Sequence, residues 1–325
     1  MTGKTSPAIG GIDLGATKIL SVVVSDSGKL LAEDLRPTRG AEGPDAVIAN
    51  MIASLRQAIA SAGDARLAAI GIDAPGPIDY ASGVVTSPPN LPGWHDVPLA
   101  SIIGKEFGVP CVLENDGSAA AFAEHRWGSG CGSRHMLFLT VSSGVGGGII
   151  IDGNLYRGAS GAAGEVGHMT INARGARCHC GRRGCLEMYA SGIAIARIAR
   201  RLVARRPDSL LARMARKEEL SAKLVHEAAD QGDEGARDLI VRAGRDLGAG
   251  LGSLINVFNP QVIVLNGGLT KMGDLYLGPA RETAQRESFE QSWSDVRIVV
   301  GELGDRAPAL GAAAIALEAQ RAASK

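Results

Sequence analysis

The chain has 325 residues, enough for two domains of ordinary size that each bury a core. With 45% hydrophobic and 21% charged residues it is not a disordered chain, and 34 Lys+Arg against 34 Asp+Glu leave no net field to draw nucleic acid or an anionic membrane. No run of about 18 apolar residues occurs, so no membrane span is expected, and the opening MTGKTSPAIGG lacks the apolar stretch of a signal peptide.

Residues 9–24, IGGIDLGATKILSVVV, read as strand, glycine turn, strand, and DSGK at 26–29 makes the next turn. In 45–63, Val47, Ile48, Met51, Ile52, Leu55 and Ile59 recur at helical spacing. LAAIGIDAPGPID (67–79) is a strand running into a Pro/Gly turn, and PCVLENDGSAAAFAEHRWG (110–128) is a strand, a polar END and an Ala-rich helix. LFLTVSSGVGGGIIIDGNLY (137–156) repeats the first unit, again strand, glycine-rich turn, strand; two copies suggest a duplicated architecture. Two long helical stretches follow at roughly 190–206 and 220–257. VIVLNGGL (262–269) is a buried strand meeting a Gly-Gly turn, and 307–320 is a final helix whose approach Asp305 could help cap. Strands alternating with helices give the α/β class. The basic run at 197–217 is read as a solvated helix side, broken by Pro207, rather than as a nucleic-acid face.

CHCGRRGCLE (178–187) puts three thiols on one tight loop. With Cys111 and Cys131 isolated, five cysteines make no even disulfide framework, and a reducing cytoplasm is the expected compartment. An iron–sulfur cluster would want a fourth Cys nearby, and a disulfide would leave a spare thiol. Zinc accepts three Cys and one His, so Cys178, Cys180 and Cys185 with His168 of GEVGHM form a candidate structural site. His179 is the rival fourth ligand, but it sits between two ligands and its side chain is expected to point away. Glu165 and Glu187 bracket the ligands; alone they would be ordinary surface glutamates, and a metal loop would bring them close together.

DLGATK (13–18) and TVSSGVGGG (140–148) offer backbone N–H groups and hydroxyls that can cradle phosphate oxygens, although plain hairpins look alike. Neither is a Walker loop. Asp13 could hold Mg²⁺ through water. Asn115 and Asp116 stand between strand and helix, where both suit N-capping, and Asp116 could instead accept a proton from an attacking hydroxyl.

Together these pieces resemble the ROK family of repressors and sugar kinases. The likeness runs through CHCGRRGCLE with EVGH upstream, DLGATK, PPNLPGW (88–94), LENDGSAAA and VLNGGL, in family order. The resemblance implies an actin-like, hexokinase-like duplicated fold with two α/β domains around a central cleft. The small domain would span 1–118, completed by the final helix at about 304–325, and the large domain 119–303 with the zinc loop. It implies Asp116 as the catalytic base toward a sugar 6-hydroxyl, and Asn90, Asn115, Glu165, His168 and Glu187 as the sugar-binding set beside Gly76. Asp13, Gly15, Thr17 and Lys18 of the first loop and Ser143, Gly144 and Gly146 of the second would embrace the phosphates of ATP, with Gly267 and Gly268 near adenosine.

The implied function is a cytoplasmic, ATP- and Mg²⁺-dependent hexose kinase, glucose first, with N-acetylmannosamine or N-acetylglucosamine as alternative acceptors and a homodimer as the assembly. Family repressors carry a DNA-binding module before the first loop. Only about eight residues precede the first strand here, too few for one. A catalytically dead sugar binder is the third possibility. Four positions depart from the family pattern: Ala16, Ser118, Ser143 and Asn266, the last bearing on nucleotide affinity.

Overall fold

The computed structural model describes residues 7–63 and 65–324; the outermost ends of the expected small domain, residues 1–6 and 325, lie outside it. The chain begins as an antiparallel meander of β1 (Ala8–Leu14), β2 (Lys18–Val24) and β3 (Leu30–Pro37). Every β1 residue is buried, which is why this stretch runs apolar without alternation, whereas β3 alternates as a half-exposed edge. Helix α1 (Pro44–Ser61) buries Val47, Met51 and Leu55 and returns the chain to β4 (Leu67–Ala74), parallel to β1. A short hairpin of β5 (Ile78–Asp79) and β6 (Val84–Val85), then α2 (Leu99–Phe107), lead to β7 (Cys111–Asn115), parallel to β4. The sheet order is β3-β2-β1-β4-β7.

Helix α3 (Asp116–Trp127) follows β7 without a loop. A second meander, β8 (Met136–Val141), β9 (Val145–Ile151) and β10 (Asn154–Leu155), opens the other sheet. After the cysteine loop come α4 (Glu187–Ala190), α5 (Gly192–Arg205), α6 (Leu210–Met214), α7 (Ala222–Asp230) and α8 (Glu234–Phe258). The strand β11 (Val262–Asn266) lies parallel to β8; α9 (Asp274–Glu287) and α10 (Glu290–Asp295) lead to β12 (Arg297–Val300), and α11 (Ala307–Ala323) closes the chain. This order, β10-β9-β8-β11-β12, repeats the first sheet: two antiparallel pairings on one side of the opening strand and two parallel pairings on the other. The duplication expected from two strand–turn–strand units is therefore a duplication of a whole sheet. Among the described residues no helix is long and apolar enough to cross a membrane.

One expected helix is two. The stretch 220–257 breaks at 231–233, where Asp233 Oδ1 accepts the Ala236 N–H at 2.9 Å and caps α8, while Oδ2 accepts the Leu211 N–H at 2.8 Å and steadies α6. The basic run divides at Pro207, with Ala194, Ile195 and Ala199 buried and Arg200, Arg201, Arg205 and Arg206 exposed. Asp305 makes no cap to α11 and pairs with Lys18 instead.

Three apolar clusters hold the molecule. One packs α5, α7, α8 and α9 on the second sheet, one packs α1 and α2 on the first, and one lies between the sheets, built from α3, α11 and residues such as Ile9, Val22, Phe138 and Val264. In the last, α11 lies on β1, β4 and α3. The approach is close: a Cβ at Gly71 would overlap the backbone of Ala312. Gly71→Ala is expected to cost about 1–3 kcal/mol through this overlap, seen as a lower midpoint in denaturant unfolding at unchanged slope.

Candidate active site

The carboxyl ends of the strands converge at one level. Asp13 of β1 pairs in register with Asp73 of β4, Ala74 with Asn115 of β7, and, in the other sheet, Thr140 of β8 with Asn266 of β11. Open α/β sheets bind ligands at this edge. Here a cavity of ≈ 160 Å³ is lined by Asp13, Lys18, Asp116, Thr140, Asn266, Gly267 and Asp305.

Helix capping falls to Asn115, whose Oδ1 accepts the N–H groups of Gly117 at 3.0 Å and Ser118 at 3.3 Å. That leaves the Asp116 carboxylate facing the cavity, where Oδ1 accepts the Gly117 N–H at 2.8 Å. Asp116 is open to solvent on its cleft side, while the walls of both lobes crowd it from the others. Burial raises its pKa and the charge of Glu165 adds to the rise, while the Gly117 N–H opposes it. Burial lifts Asp13 to about 6. Asp73 is wholly buried with both carboxyl oxygens unpartnered, and burial, then the charges of Asp13 and Asp116, push it well above the carboxylate range. Lys18 Nζ lies 3.2 Å from Asp305 Oδ2.

The first loop is a tight hairpin in which the Gly15 N–H donates to the Lys18 carbonyl at 3.0 Å, with Ala16 and Thr17 exposed at its tip. In the second loop Gly146 faces Thr140 across the ladder, and Ser143 borders a larger cavity of ≈ 650 Å³ walled by Ile193, Leu220, Leu269, Met272 and Gly268. Gly144 and the Val145 N–H lie against Glu187, whose Oε2 accepts that N–H at 3.0 Å. Gly76 stands next to the Asn115 side chain. Asn90 is exposed in its turn and makes no side-chain hydrogen bond among the described residues. Asn266 stitches two walls: Nδ2 donates to the Gly304 carbonyl at 3.0 Å and Oδ1 accepts the Gly267 N–H at 2.7 Å. Ser118 is buried on α3.

His168, Cys178, Cys180 and Cys185 each place a ligand atom within 4.8 Å of the others. Cys180 and Cys185 sulfurs are 3.6 Å apart, and His168 Nδ1 is 3.7 Å from Cys178 Sγ. A tetrahedron of thiolates at about 2.3 Å from zinc has edges of about 3.8 Å, so the set fits that ion. The chemistry fits as well. Burial and the crowding of its neighbours push the Cys185 thiol up to about 12, so a bound cation would favour its ionised form, while the Arg182 backbone N–H already lowers Cys180. His179 is not one of the four and its side chain is largely exposed, yet it stays beside them. Its Nδ1 comes within 3.3 Å of Glu187 Oε1 and 3.8 Å of Cys178 Sγ, and its ring stands edge-on to His168, because the loop folds back over the start of α4.

Four features escaped the sequence reading: the acid Asp73, the Lys18–Asp305 pair, the buried Glu124, and Glu114, whose Oε2 accepts from Arg157 Nε at 2.7 Å beside the cleft. A lone acid inside an apolar strand, as in GIDAPG, was the available signal for Asp73.

The ROK family profile matches residues 9–319. A glucokinase of Thermotoga maritima is 36% identical over 313 residues, covering 95% of this chain and 96% of its own. A xylose repressor of Caldicellulosiruptor bescii is 32% identical over 316 residues, 97% of this chain and 79% of its own. The crystal structure of a ROK family glucokinase from Streptomyces griseus in complex with glucose and AMPPNP superposes with a TM-score of 0.80 at 33% identity, over 96% of this chain and 99% of that one. The chain belongs to the ROK family and has its actin-like fold, two sheet-and-helix domains around a cleft.

Because Asp116 has a raised pKa in the fold, the folded state holds its proton more tightly than the unfolded one. Stability is then lost as pH rises from the ordinary value of 3.8 through the raised one. Asp116→Asn is expected to raise Tm at neutral pH, with the gain shrinking toward zero below 3.8; a thermal-shift series across pH measures it.

Proposed function

We propose that this member of the ROK family transfers the γ-phosphoryl group of ATP to the 6-hydroxyl of a hexose, glucose first, giving glucose 6-phosphate. The observation that carries the proposal is the placement of Asp116. Its carboxylate is relieved of capping duty by Asn115 and faces one cavity together with Lys18, Asp13, Asp305 and the Gly267 turn. Phosphoryl transfer asks for positioning, charge neutralisation and one base, and these groups supply that set.

In this mechanism the sugar lies against Asn90, Asn115, Glu165, His168 and Glu187, beside Gly76. Asp116 orients the 6-hydroxyl and takes its proton, and its raised pKa makes it a stronger base than an ordinary aspartate. Lys18 and the backbone around Gly15 and Thr17, with Ser143, Gly144 and Gly146 opposite, face the phosphates. The larger cavity, bordered by Ser143 and Gly268, takes the adenosine, with Gly267 at its edge. Asp13 would hold Mg²⁺ through water, and the ion, bound with ATP, offsets phosphate charge. His168, Cys178, Cys180 and Cys185 would hold a structural zinc that fixes the loop between Glu165 and Glu187. We take the lobes as 1–118 with 304–325 and as 119–303, closing on the sugar to exclude water, in a cytoplasmic homodimer.

Two relatives support the substrate: the glucokinase of Thermotoga maritima, and that of Streptomyces griseus with its glucose and AMPPNP. The xylose repressor likeness supports a second reading, a sugar-binding regulator. The cavity-facing base and both glycine loops favour catalysis, since a regulator has no use for a proton acceptor at the hydroxyl. An acetamido sugar in place of glucose would keep the mechanism and change only the pocket's fit.

ADP release with Mg-ATP across glucose, mannose, fructose, N-acetylglucosamine and N-acetylmannosamine is expected to favour glucose. Asp116→Ala should cut turnover by about 10²–10⁴-fold, the usual worth of a general base, and leave glucose binding within about threefold by calorimetry; unchanged turnover would sink the assignment. For Cys180→Ser, metal analysis should find zinc lost and the KM for sugar raised. A metal-free variant with full activity removes the staple.

A further inference from the structure

Helix α3 carries a second acid, Glu124, about two turns below Asp116. Glu124 is shut off from solvent. Its Oε2 accepts the N–H groups of Ser129 at 2.9 Å and Glu302 at 3.4 Å, and its Oε1 accepts that of Leu303 at 3.0 Å. A carboxylate taken out of water must have its lone pairs satisfied. Here backbone amides do so, from the end of α3 and from the turn between β12 and α11. Gly128 and Gly301 lie against the carboxylate, and a Cβ at either would overlap it, so the chain has left room for this side chain and no more.

The turn it grips is part of the cavity: Gly304, Asp305 and Pro308 line it together with Asp13, Lys18 and Asp116. Two other groups touch the turn from the cavity side, Asn266 through the Gly304 carbonyl at 3.0 Å and Lys18 through Asp305 at 3.2 Å. The Lys18 pair is open to solvent and contributes little. Glu124 is the buried anchor of the three.

We infer that Glu124 is a positioning residue for the phosphate end of the nucleotide: it locks the 301–306 turn to the helix that carries Asp116. The phosphate-side wall and the base then keep one spacing as the lobes close. This rests on the kinase reading above.

Glu124→Gln preserves shape but sets an amide NH₂ against a backbone N–H. The expected result is a KM for Mg-ATP raised about tenfold, the equivalent of one charged buried hydrogen bond. The Kd for glucose, measured without nucleotide, should stay within about twofold. Asn266→Ala loosens the same turn from the cavity side and should raise the KM for Mg-ATP by a smaller factor, again without weakening glucose. A lower Tm with unchanged KM for Mg-ATP would make Glu124 a structural pin and overturn the inference, as would an equal loss of affinity for sugar and nucleotide. If Glu124→Gln does not fold, Asn266→Ala decides, and no effect on nucleotide affinity counts against it. Calorimetry with Mg-AMPPNP keeps the two levels apart. A chain that binds AMPPNP, more weakly as Glu124→Gln, yet phosphorylates no sugar refutes the kinase and keeps the positioning role. A chain that binds no nucleotide refutes both.

Discussion

The position of α11 sets the cleft, and α11 can lie where it does only because the surfaces meeting there carry almost no side chain. Its buried face between Ala307 and Ala316 is mostly alanine and Gly311, with Leu310 and Ile315 among them, against β1, β4 and α3. Alanine buries little apolar area, so the contact depends on short interatomic distances rather than on area. A longer side chain would add area and push the helix outward by ångströms. The gain from close approach is geometric. Asp13 is the penultimate residue of β1 and Asp116 the first of α3, and both elements are fixed against the same helix, so the two carboxylates are set by one packing surface.

That placement has a cost. Asp13, Asp73 and Asp116 gather at the strand ends, and burial raises the pKa of each. Packing alone would favour apolar residues there, so the concentration of perturbed acids in a cleft marks function rather than stability. Among the described residues Lys18 is the basic side chain lining the cavity, and it is partnered by Asp305. An anionic ligand entering alone would meet the lining carboxyl groups of Asp13, Asp116 and Asp305. A phosphate ligand that brings its own divalent cation meets a cavity suited to it, with the acids toward the cation and the loop amides toward the oxygens.

Where a feature was written in local chemistry it could be read from the sequence. Both strand–turn–strand units, α1 and the cysteine spacing belong to this kind, because glycine turns, helical periodicity and ligand spacing are properties of neighbouring residues. What could not be read depends on remote partners. The break between α7 and α8 hides inside apolar periodicity that runs on either side of Gly232. Pro279 and a polar composition disguise α9. Glu124, set between Ala123 and His125, looks like any helix glutamate until Glu302 and Leu303 arrive from the far end of the chain. His179 lies outside the four-ligand set, and its approach to Glu187 comes from the fold-back of the loop.

The cysteine loop is a place where a metal would supply the order that burial does not. Between Thr170 and Arg183 the chain is mostly exposed, with two isolated bridges as its only ladder contacts. It has too little apolar surface to fix itself. Its ends are another matter: Val166 and Gly167 are buried at one side, Cys185 and Leu186 at the other, and Glu187 reaches the Val145 N–H. A metal drawing the four candidate ligands together would close the loop at those ends and so set the two carboxylates that flank it. If the order of this loop contributes to holding a sugar, linkage requires the converse. The sugar must tighten the metal by the same factor that the metal tightens the sugar, because both draw on one ordering free energy. The staple and the pocket are then two halves of a single equilibrium.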